Sequence, residues 1–206
     1  MKRKSERYYE KSYDVVVVGG GMSGLCAAIS SARHGARTAL VHSRPVLGGN
    51  ASSEIRIHIS GADQSLRQSQ YAEAGLVYEL MLENKARNDY YSYSIWDAVL
   101  FEAVKKEKKL DTYLNTVMYD CETEGSKITS ITCVQSTTEM RFKLSAPIFV
   151  DATGNATLGY YAGADYRQGS ESKSEFGEPH APEEANNNRM GNTILLRAVD
   201  MGRPVK

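Results

Sequence analysis

The sequence predicts an α/β fold, because a strand, a glycine-rich turn, a helix and a second strand follow one another near its start. Residues 13–18 read YDVVVV, a β-branched run that is typical of a strand buried on both faces of a parallel sheet. Apolar residues then recur at helical spacing, at Leu25, Ala28, Ile29 and Ala32. Gly35 ends that helix, and residues 36–41 form the second strand.

Composition limits the class of protein. With 206 residues, 41% of them hydrophobic, the chain can bury one sizeable core. Lys plus Arg equals Asp plus Glu at 25 each, so net charge does not indicate a nucleic-acid or charged-membrane partner. The basic start, MKRK, is not followed by the apolar stretch of a signal peptide. No apolar run approaches the roughly 20 residues that span a bilayer.

Three cysteines without a C-x-x-C pair predict reduced thiols, and we therefore expect a cytoplasmic protein. No cluster of residue types in the sequence indicates a metal site.

The glycine-rich turn, GGGMSG at residues 19–24, fits the dinucleotide-binding pattern G-x-G-x-x-G. Gly19 allows the tight turn, Gly21 lets a diphosphate approach the backbone, and Gly24 lets helix and strand pack closely. The N-terminus of the following helix favours an anion, because its N–H groups and its dipole point there. The pattern alone does not separate NAD, NADP and FAD.

The residue expected to grip the ribose is a histidine. His42 lies 18 residues after Gly24, close to the roughly 20 at which an acid usually accepts from the ribose hydroxyls. Arg44 follows two residues later. Taken alone, this pair indicates a site for a 2′-phosphate, and therefore NADP.

The middle of the chain predicts further strands and helices. Residues 54–60, EIRIHIS, alternate polar and apolar, which predicts a strand with a polar wall of Glu54, Arg56 and His58. A helix is expected over residues 71–82, and a second one begins at the capping box SIWD, residues 94–97. Four strands follow, at residues 113–119, 127–135, 141–144 and 148–150, with a hairpin turn at residues 124–126.

Two further motifs complete a recognisable set. GGNASSE at residues 48–54 follows the first β-α-β unit, and DATG at residues 151–154 ends a later strand. With SIWDAVLFE and VDATGNATLGYYAGADYRQG, these blocks resemble the FAD-dependent oxidoreductases of the glutathione-reductase-like superfamily. The bacterial branch that carries GGNASSEIR is the most similar, and the resemblance runs from about Tyr13 to the C-terminus.

The resemblance implies a Rossmann-like, three-layer FAD-binding domain: a β-meander, a parallel sheet and helices. Its cofactor contacts are Gly19, Gly21, Gly24 and the Ser23 backbone at the diphosphate; Gly49, Asn50 and Ala51 along the ribityl chain; Val117 at the adenine; and Ala152, Thr153 and Gly154 in the later turn. Two positions depart from the family pattern, because His42 replaces the ribose acid and Asn155 replaces an acid that often follows the later turn.

In a flavoprotein site, His42 would accept a hydrogen bond from a ribose hydroxyl, and Arg44 would lie over the adenine edge or reach a phosphate. Arg56 and His58 are the catalytic candidates. Arg56 would stabilise negative charge on reduced flavin or clamp a substrate acid, and His58 would move a proton. The alternative is a solvent-facing strand with a surface Glu–Arg pair.

The expected organisation is an N-terminal extension at residues 1–12, an FAD-binding domain at residues 13–166 with its meander at about 113–144, and a connecting segment that begins a substrate domain at residues 167–206. The family's substrate domain and last FAD-binding segment are expected beyond residue 206.

We expect an FAD-dependent oxidoreductase that exchanges a hydride or electron pair with a small organic molecule. Two alternatives stay open: a non-catalytic nucleotide-binding piece that holds FAD weakly, and an NADP-binding oxidoreductase. The substrate, the electron acceptor and the oligomeric state are not predicted.

Overall fold

The computed structural model describes residues 8–60, 74–191 and 200–204. The chain divides into two compact units, residues 1–163 and residues 164–206. The strands of the described part are β1 (Tyr9–Ser12), β2 (Val15–Val18), β3 (Thr38–Val41), β4 (Leu110–Tyr113), β5 (Thr116–Glu124), β6 (Lys127–Gln135), β7 (Arg141–Ser145) and β8 (Ile148–Asp151). Its helices are α1 (Met22–Arg33), α2 (Gly75–Arg87), α3 (Tyr93–Lys106), α4 (Thr157–Tyr161) and α5 (Lys173–Phe176), with a 3-10 turn at Gly49–Ala51.

The first unit is built on a parallel sheet with the strand order β4-β3-β2-β8. All four residues of β2 are buried, and they alternate between two cores. Val15 and Val17 pack among the residues of α1, α2 and α3, whereas Val16 and Val18 pack against the residues of the second sheet. A strand with apolar layers on both faces explains why the sequence reads as an unbroken β-branched run.

The second sheet has the order β1-β7-β6-β5, in which β5, β6 and β7 form an antiparallel meander. β1 joins its edge parallel to β7, although the sequence predicts no strand before residue 13. Its four residues are all exposed, so no hydrophobic pattern marks it. The layers of helices, parallel sheet and meander confirm the predicted three-layer α/β fold.

One predicted strand, at residues 113–119, is wrong as a single element. Tyr113 ends the parallel strand β4, and the meander begins at Thr116. Asn115 separates the two with a φ of 52°, a left-handed conformation that asparagine tolerates better than most residues. The chain therefore changes sheets within a run that looks like one strand in the sequence.

The helices pack on one face of the parallel sheet. The predicted apolar positions of α1 are all buried. α2 covers most of the helix predicted at residues 71–82, although Tyr71 lies outside the described residues. α3 begins at Tyr93, with Ser92 as its N-cap residue and no side-chain capping bond among the described residues. The predicted capping box at residues 94–97 is therefore wrong. Asp97 instead accepts a hydrogen bond from the backbone N–H of Ser53 at 3.0 Å.

The predicted strand at residues 54–60 is also wrong, because these residues form a turn and an extended loop. Buried Ser52 accepts hydrogen bonds from two backbone N–H groups of this segment, which are then not available for pairing in a sheet. Its carbonyl accepts from the Arg56 N–H at 2.8 Å, and its hydroxyl accepts from the Glu54 N–H at 3.3 Å. Such local bonds compete with strand pairing. The expected alternation is seen only in the exposure of the side chains, because half-buried isoleucines alternate with exposed polar residues.

In its described residues, the second unit contains α5 and an antiparallel bridge between Ser170 and Asn186. The apolar run TILL at residues 193–196 lies outside the described residues. The three cysteines are free thiols, and burial raises the pKa of Cys133 to about 12. None of the helices in the described ranges combines the length and apolarity needed to cross a membrane.

Candidate functional site

A cavity of about 560 Å³ opens where the parallel strands end. The carboxyl ends of such strands are the usual position of ligand sites in open α/β sheets. Six short segments line most of it: residues 18–23, 41–43, 48–51, 57–58, 116–118 and 152–155. Of the predicted contacts, these segments include Gly19, Gly21, Ser23, His42, Gly49, Asn50, Ala51, His58, Val117, Ala152, Thr153 and Gly154. The structure thus brings most of the predicted site residues together around one space.

The three glycines of the turn have different surroundings. A Cβ built on Gly19 would lie 2.1 Å from the carbonyl oxygen of Ala152, and one on Gly24 would lie 1.9 Å from the carbonyl oxygen of Gly19. Both glycines are therefore required by the packing of the chain itself. A Cβ on Gly21 would meet no described atom within 4 Å, although Gly21 lines the cavity.

The N-terminus of α1 adjoins this open space. Gly21 is its N-cap residue, and no described side chain caps it. The first turn contains no acidic residue. Because the first N–H groups of a helix lack intrahelical partners and carry partial positive charge, this end suits an anionic group.

The GGN segment, residues 48–50, lies directly against the glycine-rich turn of residues 19–24. The N–H of Gly48 donates to the carbonyl of Gly20 at 2.8 Å, and a Cβ on Gly49 would lie 3.0 Å from the Cα of Gly21. Gly48 has a φ of 103°, which glycine adopts without the steric cost of other residues. These contacts place Asn50 and Ala51 at the wall of the cavity beside the turn.

The turn after β8 is organised by Asp151, to which the sequence assigns no separate role. Its carboxylate accepts from the N–H of Thr153 at 3.0 Å, the hydroxyl of Thr153 at 2.7 Å and the N–H of Gly159 at 2.9 Å. Burial raises the pKa of Asp151, but these bonds outweigh it and hold the pKa below its ordinary value. An acid two residues before a threonine at a strand end is the sequence signal for this turn.

His42 does not have the free acceptor that the sequence-based role requires. The N–H of Gly20 donates to its Nδ1 at 2.9 Å, and its Nε2 lies 3.0 Å from the carbonyl oxygen of Val46. The ring is buried and lines the cavity, yet both nitrogens have partners within the chain. Acceptance of a ribose hydroxyl by this ring is therefore not the role that its geometry supports.

Arg44 also has a different neighbour from the expected one. Its Nε and one terminal nitrogen donate to the two carboxylate oxygens of Glu54, both at 2.8 Å. Arg44 is not among the residues that line the cavity. The hydrogen bonds that Arg44 donates to Glu54 raise the pKa of this guanidinium further, and its charge is balanced by the carboxylate. The surface Glu–Arg pair predicted as an alternative is present, with Arg44 rather than Arg56.

The two catalytic candidates separate in the structure. His58 lines the cavity, whereas Arg56 does not. The Nε of Arg56 donates to the carbonyl of Ser53 at 3.0 Å, and its backbone adopts a φ of 66°. That left-handed conformation interrupts the strand geometry that would have placed Arg56 and His58 side by side on one wall.

Several residues that line the cavity were not predicted from the sequence, and Gly20 and Ser43 are among them. Gly20 occupies a variable position of the pattern, and the signal for its role was its place between two motif glycines. Within the described residues, no group of three or more His, Cys, Asp or Glu side chains is placed to hold a metal ion.

Comparison with known proteins identifies related sequences. Residues 14–201 match the model of a family described as FAD dependent oxidoreductase. Glycerol-3-phosphate dehydrogenase of Mycobacterium leprae (strain TN) is 35% identical over 80 residues, which are 39% of this chain and 13% of that protein. Soluble pyridine nucleotide transhydrogenase of Ectopseudomonas mendocina (strain ymp) is 27% identical over 150 residues, which are 70% of this chain and 31% of that protein. The chain thus spans less than a third of either relative.

A solved structure shares the fold. The p-nitrophenol 4-monooxygenase PnpA from Pseudomonas putida DLL-E4 superposes with a TM-score of 0.55 and 14% sequence identity. The match covers 78% of this chain and 46% of that one. At this identity the likeness establishes the three-layer architecture.

Proposed function

The chain belongs to the FAD-dependent oxidoreductase family, and we propose that its cavity at the strand ends binds FAD. In this proposal the diphosphate lies at the turn of residues 19–24 and the N-terminus of α1. The ribityl chain would run along residues 49–51, the adenine would lie near Val117, and the turn of residues 152–154 would contact the cofactor beside Gly19. The family's cofactor is FAD, so the NADP alternative is not retained for this site.

One observation carries this proposal: the motif glycine that should face a diphosphate is the one with open space in front of it. Gly19 and Gly24 are crowded by backbone atoms at 2.1 and 1.9 Å, so their lack of a side chain serves the fold. Gly21 has no described atom within 4 Å of its Cβ position, so packing does not explain its lack of a side chain. A ligand that approaches the backbone does explain it.

The proposed reaction is exchange of a hydride or electron pair with a small organic substrate, and the bound flavin supplies that chemistry. The contribution of this chain is to bind and orient the cofactor. His58 is the proposed proton carrier, because it lines the cavity and an imidazole has one nitrogen that can accept a proton and one that can donate it. Arg56 is left out of the proposed site, since its side chain bonds to Ser53 away from the lining.

Titration of the purified chain with FAD tests the proposal through quenching of flavin fluorescence and the visible absorption spectrum. Gly21→Val should abolish binding, because the new side chain occupies the space assigned to the diphosphate. Its unfolding midpoint should stay close to that of the wild-type chain. Ser30→Val, at an exposed position of the same helix, is the matched control and should bind FAD normally.

The proposal is wrong if FAD does not bind the wild-type chain. It is also wrong if Gly21→Val binds FAD as tightly as Ser30→Val does. A titration of His58→Ala should show unchanged FAD affinity, since a proton carrier is not needed to hold the cofactor.

A further inference from the structure

The environment of the His42 ring defines its protonation state. The Gly20 N–H is a donor, so Nδ1 must be an unprotonated acceptor. The Val46 carbonyl is an acceptor, so Nε2 must carry the proton and donate. Neutral imidazole offers one acceptor and one donor, and both are used here within the chain.

The ring also fills the space beside Gly20. A Cβ built on Gly20 would lie 2.6 Å from Cγ and 2.8 Å from Cδ2 of His42, and 2.8 Å from Cδ2 of Leu47. These distances are shorter than any ordinary carbon contact. The glycine at this variable position of the motif is therefore required by the histidine, and the two residues form a close-packed pair.

The backbone of His42 connects the same pair to two further strands. Its N–H donates to the carbonyl of Tyr113 at 2.8 Å, and its carbonyl accepts from the N–H of Thr116 at 2.9 Å. Gly20 in turn accepts from the N–H of Gly48 at 2.8 Å. His42 thus joins the glycine-rich turn to the ends of β4 and β5 and to the loop that leads into the GGN segment.

We propose that His42 is a positioning residue for the diphosphate turn rather than the ribose acceptor. Its neutral ring fixes Gly20 through Nδ1 and Val46 through Nε2, which holds the turn and the GGN segment at the spacing that FAD requires. This inference rests on the proposed function, because the turn it positions is the one assigned to FAD. Ser43, two residues after the end of β3, also lines the cavity.

The proposal has a consequence for pH, because a protonated ring cannot accept from Gly20. Burial is the main influence on His42 and lowers its pKa from 6.5. The carbonyl of Val46 and the carboxylate of Glu54 oppose this effect, and the guanidinium of Arg44 adds to it. His58 lines the same cavity and is the other imidazole there among the described residues. The neutral ring is present above the ordinary histidine pKa and is lost as the pH falls through the lowered one.

Two substitutions at position 42 give opposite results for the two possible roles. His42→Asn keeps an acceptor oxygen close to the place of Nδ1, so FAD affinity should fall by no more than the roughly two- to tenfold of one lost neutral hydrogen bond. His42→Glu places a carboxylate beside the Val46 carbonyl and removes the donor, so FAD affinity should fall by about a hundredfold. A ribose acceptor would behave in the reverse order, and tighter binding by His42→Glu would overturn the proposal.

A measurement that does not depend on the cofactor is available from the ring itself. Nitrogen NMR of the chain at neutral pH, without FAD, should show His42 with a bare Nδ1 and a protonated Nε2. A ring protonated at Nδ1 would contradict the proposal. This result is independent of whether FAD binds, so failure of the proposed function and failure of this inference are distinguishable.

The pH profile separates positioning from a merely structural role. Between about pH 8 and about pH 5, the FAD affinity of the wild-type chain should decline, whereas that of His42→Asn should decline less because the amide does not titrate. Equal profiles for the two proteins would contradict the proposal.

Should His42→Glu fail to fold, Gly20→Ala provides a second test. It should weaken FAD binding in the wild-type background, and His42→Ala should relieve part of that effect, because it removes the clash with the ring but not the contact with Leu47. Additive losses in the double variant would overturn the proposal.

Discussion

The carbonyl oxygen of Ala152 occupies the position that a side chain on Gly19 would take, because a Cβ built on Gly19 lies 2.1 Å from it. Gly19 follows β2 and Ala152 follows β8, the neighbouring parallel strand. The Ala152 N–H continues the sheet by donating to the carbonyl of Val18 at 2.8 Å. Two of the turns that line the cavity therefore touch each other, and the first motif glycine is needed to bring them together.

This contact predicts that Gly19→Ala destabilises the fold. Overpacking in a filled region costs about 1–3 kcal/mol, and a φ of 106° adds strain for any residue with a side chain. Gly125→Ala is the matched control, since Gly125 also has a positive φ, at 62°, but a Cβ there meets no described atom within 4 Å. Urea unfolding should show a clearly larger loss for Gly19→Ala. Equal losses would mean that the φ angle, and not the contact with Ala152, sets the cost.

The glycine pattern could be predicted from the sequence because its spacing is a local feature. The contact of Gly24 with the Gly19 carbonyl lies within the six residues of the motif, whereas the crowding of Gly19 comes from Ala152, which the motif does not reveal. β2 and α1 could also be predicted, because their burial follows from the periodicity of apolar residues. Short-range steric and hydrophobic rules were sufficient for these elements.

The partners of the polar residues could not be predicted in this way. His42 bonds to Gly20, 22 residues earlier, and Arg44 bonds to Glu54, ten residues later. Both pairings depend on how the chain folds back between the two partners, which the sequence pattern does not reveal. The loop at residues 54–60 reads as a strand because alternation is visible in the sequence, whereas capture of its N–H groups by Ser52 is not.

Arg56 provides a second prediction, because it is a residue with a side chain at a φ of 66°. Arg56→Gly should keep the free energy of unfolding within about 1 kcal/mol, since glycine reaches this conformation without a steric cost but gains entropy when unfolded. Arg56→Val should cost about 1–2 kcal/mol or more, because a β-branched residue is strained there. Urea unfolding of both variants makes the comparison.

The Arg56→Gly variant also tests the catalytic assignment made from the sequence. Its FAD affinity should match that of the wild-type chain, because Arg56 does not line the cavity. Marked loss of FAD affinity in a well-folded Arg56→Gly protein would return Arg56 to the cofactor site.

Tyr13 and Tyr113 form a hydrogen-bonded pair in the core between the parallel sheet and the meander. The hydroxyl of Tyr13 donates to the carboxylate of Asp111 at 2.6 Å and lies 2.6 Å from the hydroxyl of Tyr113. Because the Tyr13 proton is used for Asp111, the Tyr113 hydroxyl donates to Tyr13. Burial, with these hydrogen bonds, raises the pKa of Tyr13 well above its ordinary value of 10.0.

Tyr13→Phe should therefore lower the free energy of unfolding by about 1–3 kcal/mol near neutral pH, since Tyr113 loses its acceptor and Asp111 a donor. A raised pKa means that the contribution of Tyr13 is complete below about pH 10 and declines as the pH rises above that value. The alkaline loss of stability should accordingly be smaller in Tyr13→Phe than in the wild-type chain. Tyr9→Phe, at a half-exposed ring, is the control and should change neither quantity. Identical alkaline profiles for all three proteins would contradict this account.

The last prediction concerns Arg44 and the choice between FAD and NADPH. Arg44 is paired through two bonds with Glu54 and does not line the cavity, so its charge is not directed at a 2′-phosphate. Exposed ion pairs contribute about 1 kcal/mol or less, and Arg44→Ala should therefore change FAD affinity by no more than about fivefold. Glu54→Gln is the matched variant: it weakens the pair while keeping Arg44, and it should also leave FAD binding close to the wild-type value. Titration of the three proteins with FAD and with NADPH, by flavin and nicotinamide fluorescence, should show FAD as the tighter ligand in each. If NADPH binds more tightly than FAD and Arg44→Ala selectively abolishes it, Arg44 is a phosphate ligand and the flavin assignment of this site is wrong.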